Sequence, residues 1–276
     1  GLFLYLNANK RGITLDLTRP QGLDAFERLV ARTDLLVHNV HPTDMAAQGL
    51  VYERLATLNP RLVMTSITPF GLTGPYATYR ATDVVSWSAG GVATLNGQPG
   101  RPDLPPLKTF GDQSGFQAGL NAAIASLGAL FARLASGAGE HVDVSTHECV
   151  ASLLELTYGF WPYTGLVASR LGAKPLQPLC FMECRDGWIF VCAVEEHQWR
   201  AFVDLMGNPE WAQMELFETR LTRGQNFDAL QILLQEWCRE QSVHELYEAA
   251  QSRRVPFAPV STMGDLLASP HLKARG

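Results

Sequence analysis

Short apolar runs and amphipathic helical patterns alternate along the first 70 residues of this chain. Residues 12–17, 35–40 and 62–67 are rich in residues that strands favour, and the segments at about 21–32 and 44–58 have helical periodicity. Neighbouring parallel strands need a crossover connection, which is usually a helix. The alternation therefore predicts an α/β fold whose large domain is a Rossmann-like, doubly wound sheet.

Sheets of this kind bind ligands in the loops that follow the carboxyl ends of their strands. In this chain those loops are residues 18–20, 39–42 and 68–74. We therefore expect a ligand site where the three loops meet.

An aspartate stands between glycines, in the sequence GDQSG at residues 111–115, where a long apolar segment begins. The segment predicts a buried helix over about residues 112–135. A membrane span is not expected, because the apolar stretch is short and contains Gln117, Asn121 and Ser126. As the helix N-cap, Asp112 would accept hydrogen bonds from otherwise unpaired N–H groups. The same position favours an ionised carboxylate and suits a nucleophile, so both roles stay open.

Composition changes beyond Gly159, where several Gly and Pro without a helical period indicate a linker up to residue 179. The remaining chain predicts a second, smaller α+β domain, in which Ser242 and Glu245 fit a capping box. We expect a large domain at residues 1–175 and a small one at 176–276. The elements predicted in the small domain are strands at 188–193 and 255–260 and helices at 196–206, 226–240 and 243–253.

The composition argues against several classes of function. A formal net charge of −5 provides no basic surface for nucleic acid. The sequence has neither a P-loop nor a G-x-S-x-G motif. Its five cysteines are scattered, which argues against a disulfide framework and fits a reducing, cytoplasmic location. No metal is expected, because the spacing is too loose within His38 and His41 and within His141, His147 and Cys149.

Several short motifs follow one another along the whole chain. They include NANKRG at 7–12, NVHP at 39–42, SITPFG at 66–71, GD at 111–112 and GAGEHVDV at 137–144, with CRDGWI at 184–189 and PFAPV at 256–260. In this order they resemble the family III coenzyme A transferases (CaiB/BaiF), the group that contains formyl-CoA and carnitine CoA-transferases.

The resemblance implies a coenzyme A transferase in which Asp112 is the catalytic nucleophile. Asp112 would attack an acyl-CoA thioester to form a mixed anhydride, and the CoA thiolate would return to form an aspartyl-CoA thioester. A small carboxylic acid would then accept the CoA, with N–H groups of residues 111–115 stabilising the oxyanions. No tightly bound cofactor is expected. The CoA contacts implied are Leu15, Asp16, Leu17, Thr18, Asn39, Val40, His41, Arg80, Ala81, Thr82 and Asp83.

Differences from the family pattern limit the reactions and substrates that we expect. Thr82 stands where racemases of the same superfamily carry a proton-transferring histidine, which favours CoA transfer over racemisation. Ala47 replaces a basic residue that often contacts CoA. The glycine-rich flap of formyl-CoA enzymes has no counterpart between Gly159 and Cys184, which argues against oxalate or formyl-CoA as substrates. The alternatives are an acyl-CoA racemase of the same superfamily and a non-catalytic CoA-binding fragment.

The ends of the chain also differ from the family pattern. Family members begin before residue 1 and continue past Arg275, and their dimers are interlocked rings. The resemblance therefore implies an internal piece of a longer protein, which forms an interlocked homodimer when it is complete.

Overall fold

The structure is a computed structural model that describes residues 1–98, 101, 103–170 and 176–276. The chain forms two compact units, Gly1–Arg170 and Leu171–Gly276. The predicted boundary between residues 175 and 176 borders residues 171–175, which lie outside the described residues. The predicted division into domains therefore stays a prediction.

A three-stranded parallel sheet lies at the centre of the first unit. Its strands are β1 (Leu35–His38), β2 (Val63–Thr68) and β3 (His141–Ser145), hydrogen-bonded in the order β1-β2-β3. All residues of the central strand except Ile67 are buried. Because the strands are parallel, their carboxyl ends meet at one edge of the sheet. The predicted α/β class is confirmed.

Helices cover both faces of this sheet. Successive side chains of a strand point to opposite faces, so Ile67 packs against one set of helices and Met64 against the other. The helices of the first unit are α1 (Leu2–Leu6), α2 (Pro20–Val30), α3 (Pro42–Met45), α4 (Tyr52–Leu58), α5 (Asp83–Ala89), α6 (Val92–Leu95), α7 (Gln113–Ser136), α8 (Thr146–Ala151) and α9 (Glu155–Thr164), with a 3-10 turn at Ser152–Leu154.

Two sequence predictions in the first unit are wrong. Residues 12–17 form no strand, because none of the described strands pairs with them; Asp16 instead accepts hydrogen bonds from the backbone N–H and hydroxyl of Thr18 in a tight turn. The helix predicted over about 44–58 is divided into α3 and α4. Gly49 stands between them with φ +71°, a conformation that interrupts a right-handed helix.

Helix α7 is buried on one face only. Its buried residues include Ala118, Ala122 and Ser126, and the Ser126 hydroxyl lies 2.7 Å from that of Thr65 in β2. The opposite face is exposed and apolar, so the prediction of a buried helix holds for half of its surface. We call this face the α7 stripe; its residues are Phe116, Leu120, Ile124, Leu127, Phe131 and Leu134.

By length and apolar composition, α7 is the one helix in the described part of the chain that could cross a membrane. The core helices of water-soluble proteins meet the same criterion. The helix alone is therefore weak support for a membrane span.

The second unit is built on an antiparallel sheet of β4 (Leu179–Cys184), β5 (Gly187–Cys192) and β6 (Ala258–Pro259). β4 lies partly in the predicted linker and was not foreseen. The sheet packs on an apolar core that contains Phe202, Leu230 and Phe257. Its helices are α10 (Glu196–Leu205), α11 (Glu215–Glu218), α12 (Arg220–Gln225), α13 (Phe227–Arg239), α14 (Val243–Ser252), α15 (Met263–Ala268) and α16 (Pro270–Arg275), with a 3-10 turn at Glu210–Gln213.

The predicted capping box of α14 is wrong. The Ser242 side chain does not cap the helix but donates a hydrogen bond to Asp186 at 2.8 Å. The other carboxylate oxygen of Asp186 accepts from the Val243 backbone N–H, also at 2.8 Å. A side chain from the turn between β4 and β5 therefore satisfies the start of α14.

Candidate active site

A cleft of about 790 Å³ opens at the carboxyl edge of the parallel sheet. Asn39 follows β1, Thr68 ends β2 and Thr146 follows β3, and all three line the cleft. The starts of α5 and α7 complete it with Asp83 and Asp112. The predicted ligand site beyond β1 and β2 is therefore an open cleft that also holds the candidate nucleophile.

Asp112 is the N-cap of α7. Its Oδ1 accepts a hydrogen bond from the Gly115 backbone N–H at 3.3 Å, which satisfies one of the free donors at the helix start. Gly111 precedes it with φ +80°, a conformation that favours glycine. A Cβ atom at Gly115 would lie 2.6 Å from Asp112 Oδ2. The cap is therefore real, and the glycine makes room for the carboxylate.

Asp83, at the start of α5, is held by hydrogen bonds at one carboxylate oxygen and by an ion pair at the other. Oδ1 accepts from the Ser114 backbone N–H at 2.8 Å and from the Ser114 hydroxyl at 2.5 Å. Oδ2 lies 2.5 Å from the Lys108 ammonium. Asp83 therefore links α5, the loop before Asp112 and the first turn of α7.

The two carboxylates have opposite electrostatic settings. For Asp83, burial raises the pKa, but the hydrogen bonds from Lys108 and Ser114 outweigh burial and bring the pKa to about 2. Burial also raises the pKa of Asp112, and the neighbouring Asp83 raises it further. The hydrogen bond from the Gly115 N–H acts in the opposite direction and lowers it. Asp83 is therefore the firmly ionised member of the pair, and Asp112 is the more basic one.

A hydrogen-bonded chain of three polar side chains crosses the sheet behind Asn39. The Val40 N–H donates to His38 Nδ1 at 3.2 Å, and His38 Nε2 lies 2.7 Å from the Ser66 hydroxyl, which is 2.8 Å from His141 Nε2. Burial lowers the pKa of His38 to about 4, with His141 adding to the effect, and burial also lowers the pKa of His141.

Both imidazoles are therefore neutral near pH 7, which fixes the direction of the chain. His38 accepts at Nδ1, so it donates from Nε2 to Ser66, and Ser66 donates to His141. The chain holds the backbone next to Asn39, a residue that lines the cleft.

Thr68 provides a further polar group in the cleft. It ends β2 and is 1% exposed, and its hydroxyl has no hydrogen-bond partner among the described residues. A buried hydroxyl without a partner costs free energy. Because Thr68 lines the cleft, a bound substrate could satisfy it.

The sequence matches the family described as CoA-transferase family III over residues 1–276. The chain belongs to CoA-transferase family III. It is 34% identical over 287 residues to a succinyl-CoA:(R)-benzylsuccinate CoA-transferase subunit, BbsE, from Thauera aromatica, with 99% of this chain and 68% of that protein covered. It is 31% identical over 276 residues to a succinyl-CoA–D-citramalate CoA-transferase from Chloroflexus aurantiacus, with 98% and 67% covered.

The fold agrees with this family. The crystal structure of a CAIB/BAIF family protein from Brucella suis matches with a TM-score of 0.84 at 32% identity, covering 98% of this chain and 71% of that one. The chain spans about two thirds of the length of the two curated relatives. The predicted family and the prediction of a CoA-transferase enzyme are confirmed.

Four residues that the resemblance to family III assigned to CoA binding line the same cleft as Asp112. They are Asn39, Ala81, Thr82 and Asp83. Asp83 uses its carboxylate oxygens on Ser114 and Lys108. Any contact of Asp83 with CoA would therefore come in addition to this structural role.

The other implied CoA contacts of the family III chain do not line this cleft. Arg80 forms an exposed ion pair with Asp44 at 3.7 Å, and His41 caps α3 through its ring nitrogen. Asp16 closes the turn described above, and its carbonyl lies so close to Gly22 that a Cβ there would be 2.0 Å away. A role in CoA binding stays a prediction for Leu15, Asp16, Leu17, Thr18, Val40, His41 and Arg80.

Two donors expected to stabilise oxyanions are already in use. The Ser114 N–H donates to Asp83, and the Gly115 N–H donates to Asp112 itself. Lys108 was missed as part of the site, and Ser114 was expected only as an oxyanion donor. Their partner Asp83 is distant in sequence, and the only signal for Lys108 was a single lysine in a Pro-rich loop shortly before Asp112.

Proposed function

We propose that this family III enzyme transfers coenzyme A from an acyl-CoA donor to a carboxylic acid through covalent intermediates on Asp112. The observation that supports this proposal is a carboxylate at the start of a helix, in an open cleft at the carboxyl edge of the sheet. Its raised pKa makes it a better nucleophile than an ordinary aspartate whenever it is ionised.

The proposed reaction consists of four acyl transfers. Asp112 attacks the donor thioester carbonyl, giving a mixed anhydride and CoA thiolate. The thiolate attacks the Asp112 carbonyl, which forms the aspartyl-CoA thioester and releases the donor acid as a carboxylate. The acceptor carboxylate attacks this thioester, and the thiolate then attacks the acceptor carbonyl of the new anhydride. Asp112 is regenerated as a carboxylate, and no step needs an external oxidant or base.

The two oxygens of Asp112 have separate roles in this scheme. Oδ1 is held by the Gly115 N–H, which leaves Oδ2 to attack the thioester. When Oδ2 becomes the bridging oxygen of the anhydride, Oδ1 becomes the carbonyl oxygen. The Gly115 N–H then donates to the atom that carries negative charge in the next tetrahedral intermediate.

The substrates of the relatives guide the choice of a donor. The two curated relatives are named for transfer from succinyl-CoA, to benzylsuccinate in one case and citramalate in the other. We propose an acyl-CoA donor and a small carboxylic acid acceptor for this chain, with succinyl-CoA as the first donor to assay. No tightly bound cofactor takes part in the proposal.

Trapping with hydroxylamine tests the covalent step. We expect incubation with succinyl-CoA and hydroxylamine to convert Asp112 to its hydroxamate, detected by mass spectrometry of the peptide that contains it. Asp112→Asn is the matched variant because asparagine also caps helices well, and Asp24→Asn on the exposed face of α2 is the control. An unmodified Asp112 in a preparation that binds CoA would contradict the proposal and favour a CoA-binding fragment.

Racemisation is the competing chemistry in the same cleft. Thr82, which lines the cleft, offers no group that titrates near neutral pH, whereas α-proton transfer needs an acid–base partner. We therefore expect no exchange of the acyl α-proton in deuterated water while CoA transfer proceeds. Exchange faster than transfer would favour the racemase.

We also propose that the protein acts in the cytoplasm, without nucleic acid or a membrane as partner, and forms an interlocked homodimer when it is complete. The net charge of −5 and five unpaired cysteines support the location and the absence of nucleic acid. The α7 stripe supports the dimer, because a continuous apolar surface of this kind marks an interaction site. Sedimentation of the complete protein should show two identical chains. A monomer, or a requirement for a second kind of subunit, would contradict the homodimer.

A further inference from the structure

Three oxygens lie close to the Lys108 ammonium. They are Asp83 Oδ2 at 2.5 Å, the Thr109 carbonyl at 2.8 Å and the Gly111 carbonyl at 2.5 Å. The Lys108 side chain is 28% exposed and that of Asp83 is 17% exposed, so solvent screens this ion pair only in part. The contacts with the two carbonyls are hydrogen bonds, and the contact with Asp83 is an ion pair.

The ion pair stands next to the candidate nucleophile. Asp83 and Asp112 line the same cleft, and each influences the ionisation of the other. Two neighbouring carboxylates cannot both ionise easily unless a positive charge compensates one of them. In the described part of the chain, Lys108 is the cation paired with Asp83.

We propose that Lys108 is a positioning residue that keeps Asp112 ionised at neutral pH by neutralising Asp83 and by fixing the turn from Thr109 to Gly111. The proposal rests on the proposed nucleophilic role of Asp112. Lys108 does not touch the reacting atoms in this scheme. With Lys108 the two carboxylates and the ammonium have a net charge of −1, and without it the same pair would have a charge of −2.

Three substitutions separate the charge of Lys108 from its contacts. Lys108→Arg keeps the positive charge, Lys108→Gln keeps N–H donors without the charge, and Lys108→Met removes both. If the charge matters, the acid limb of the kcat/KM profile should move to higher pH in Gln and Met and stay near its original position in Arg. A purely structural role would lower activity equally at every pH. Lys273→Gln, in the second unit, is the control.

A titration of Asp112 itself tests the proposal without turnover. In protein carrying ¹³C at the aspartate Cγ atoms, the Asp112 resonance is identified by its absence from Asp112→Asn. We expect its midpoint to rise by about 1 pH unit in Lys108→Gln and Lys108→Met, the size of effect that a close opposite charge produces, and to stay near the original value in Lys108→Arg. Thermal melts verify that each variant is folded.

The outcomes distinguish this inference from the proposed function. An unchanged Asp112 midpoint in folded Lys108→Gln and Lys108→Met would overturn the role of Lys108, whatever the enzyme does. Undiminished CoA transfer by Asp112→Asn would overturn the nucleophile but would leave the titration result standing.

Discussion

Gly115 faces the carboxylate of Asp112 across the first turn of α7. The helix start must present an N–H to Oδ1 and leave space beside Oδ2, and only a residue without Cβ does both. A second glycine of the same helix, Gly128, has no atom within 4 Å of its Cβ position. The two glycines therefore differ in function although they share one helix.

Replacing these glycines by alanine should separate catalysis from stability. Gly115→Ala would push the Asp112 carboxylate away from its position, and we expect kcat to fall on the order of 100-fold, as for a small misplacement of reacting groups. Gly128→Ala should leave kcat unchanged and stabilise the helix by up to about 1 kcal/mol. Steady-state assays and thermal melts check both. Equal activity of the two variants would rule out the steric argument.

The candidate nucleophile could be picked out from the sequence, but its surroundings could not. Asp112 is marked by local features, the flanking glycines and the apolar helix that follows. Asp83, Lys108 and Ser114 are brought together only by the packing of α5 against α7. The periodicity of a single sequence does not show which distant residues pack against each other. Asp83 was therefore assigned to CoA binding, and Lys108 was overlooked.

At the scale of elements, the chain His38–Ser66–His141 joins the three strands of the sheet. Each of its members comes from a different strand, and both imidazoles are neutral. Tyr52 stacks on His141, and Glu53, Glu140 and Asp143 are the acidic groups that influence this cluster. The alignment of the strands at the cleft therefore depends on the protonation of half-buried histidines.

This dependence predicts acid sensitivity of the first unit. The pKa of His38 is about 4 in the folded protein and about 6.5 when unfolded, so the unfolded state binds more protons between these values. The stabilisation is present above pH 6.5 and is lost as the pH falls towards 4. His38→Gln keeps an N–H donor but does not titrate. The melting temperature of this variant should fall less steeply over this range. Its proton uptake on unfolding should be smaller than that of the original protein by up to about one proton. Parallel curves for the two proteins would contradict the prediction.

Elements defined by local periodicity were predicted well. Four of the predicted elements, β1, β2, α2 and α7, lie within a few residues of their predicted positions. The prediction of a strand at 12–17 was wrong because an alternating pattern alone does not supply a neighbouring strand to pair with. The predicted cap of α14 was wrong because the N–H group at the helix start donates to Asp186, from a distant turn, rather than to the adjacent Ser242.

At the scale of the whole molecule, the two units have separate apolar cores. In the second unit the core includes Met182, Ile189 and Leu234, all fully buried. A group of helices and strands that has its own buried core can fold as an independent domain. The sequence indicated this second set of elements through its helices, although β4, which begins at the last residue of the predicted linker, was missed.

We expect residues 176–276 to fold when expressed alone. The fragment should give dispersed amide signals in NMR spectra and a single cooperative melt, because its described core residues all belong to this segment. Phe202→Ala, at the centre of that core, should lower its stability by about 3–5 kcal/mol. A fragment without a cooperative melt would show that its folding depends on the rest of the chain.

The α7 stripe has a consequence for enzymology at low concentration. Phe116 and Leu120 belong both to the stripe and to the wall of the cleft. If a second copy covers the stripe, it also closes that wall around the substrate. Specific activity would then decline on dilution below the dissociation constant of the dimer, because the wall formed by Phe116 and Leu120 would open to solvent before any unfolding.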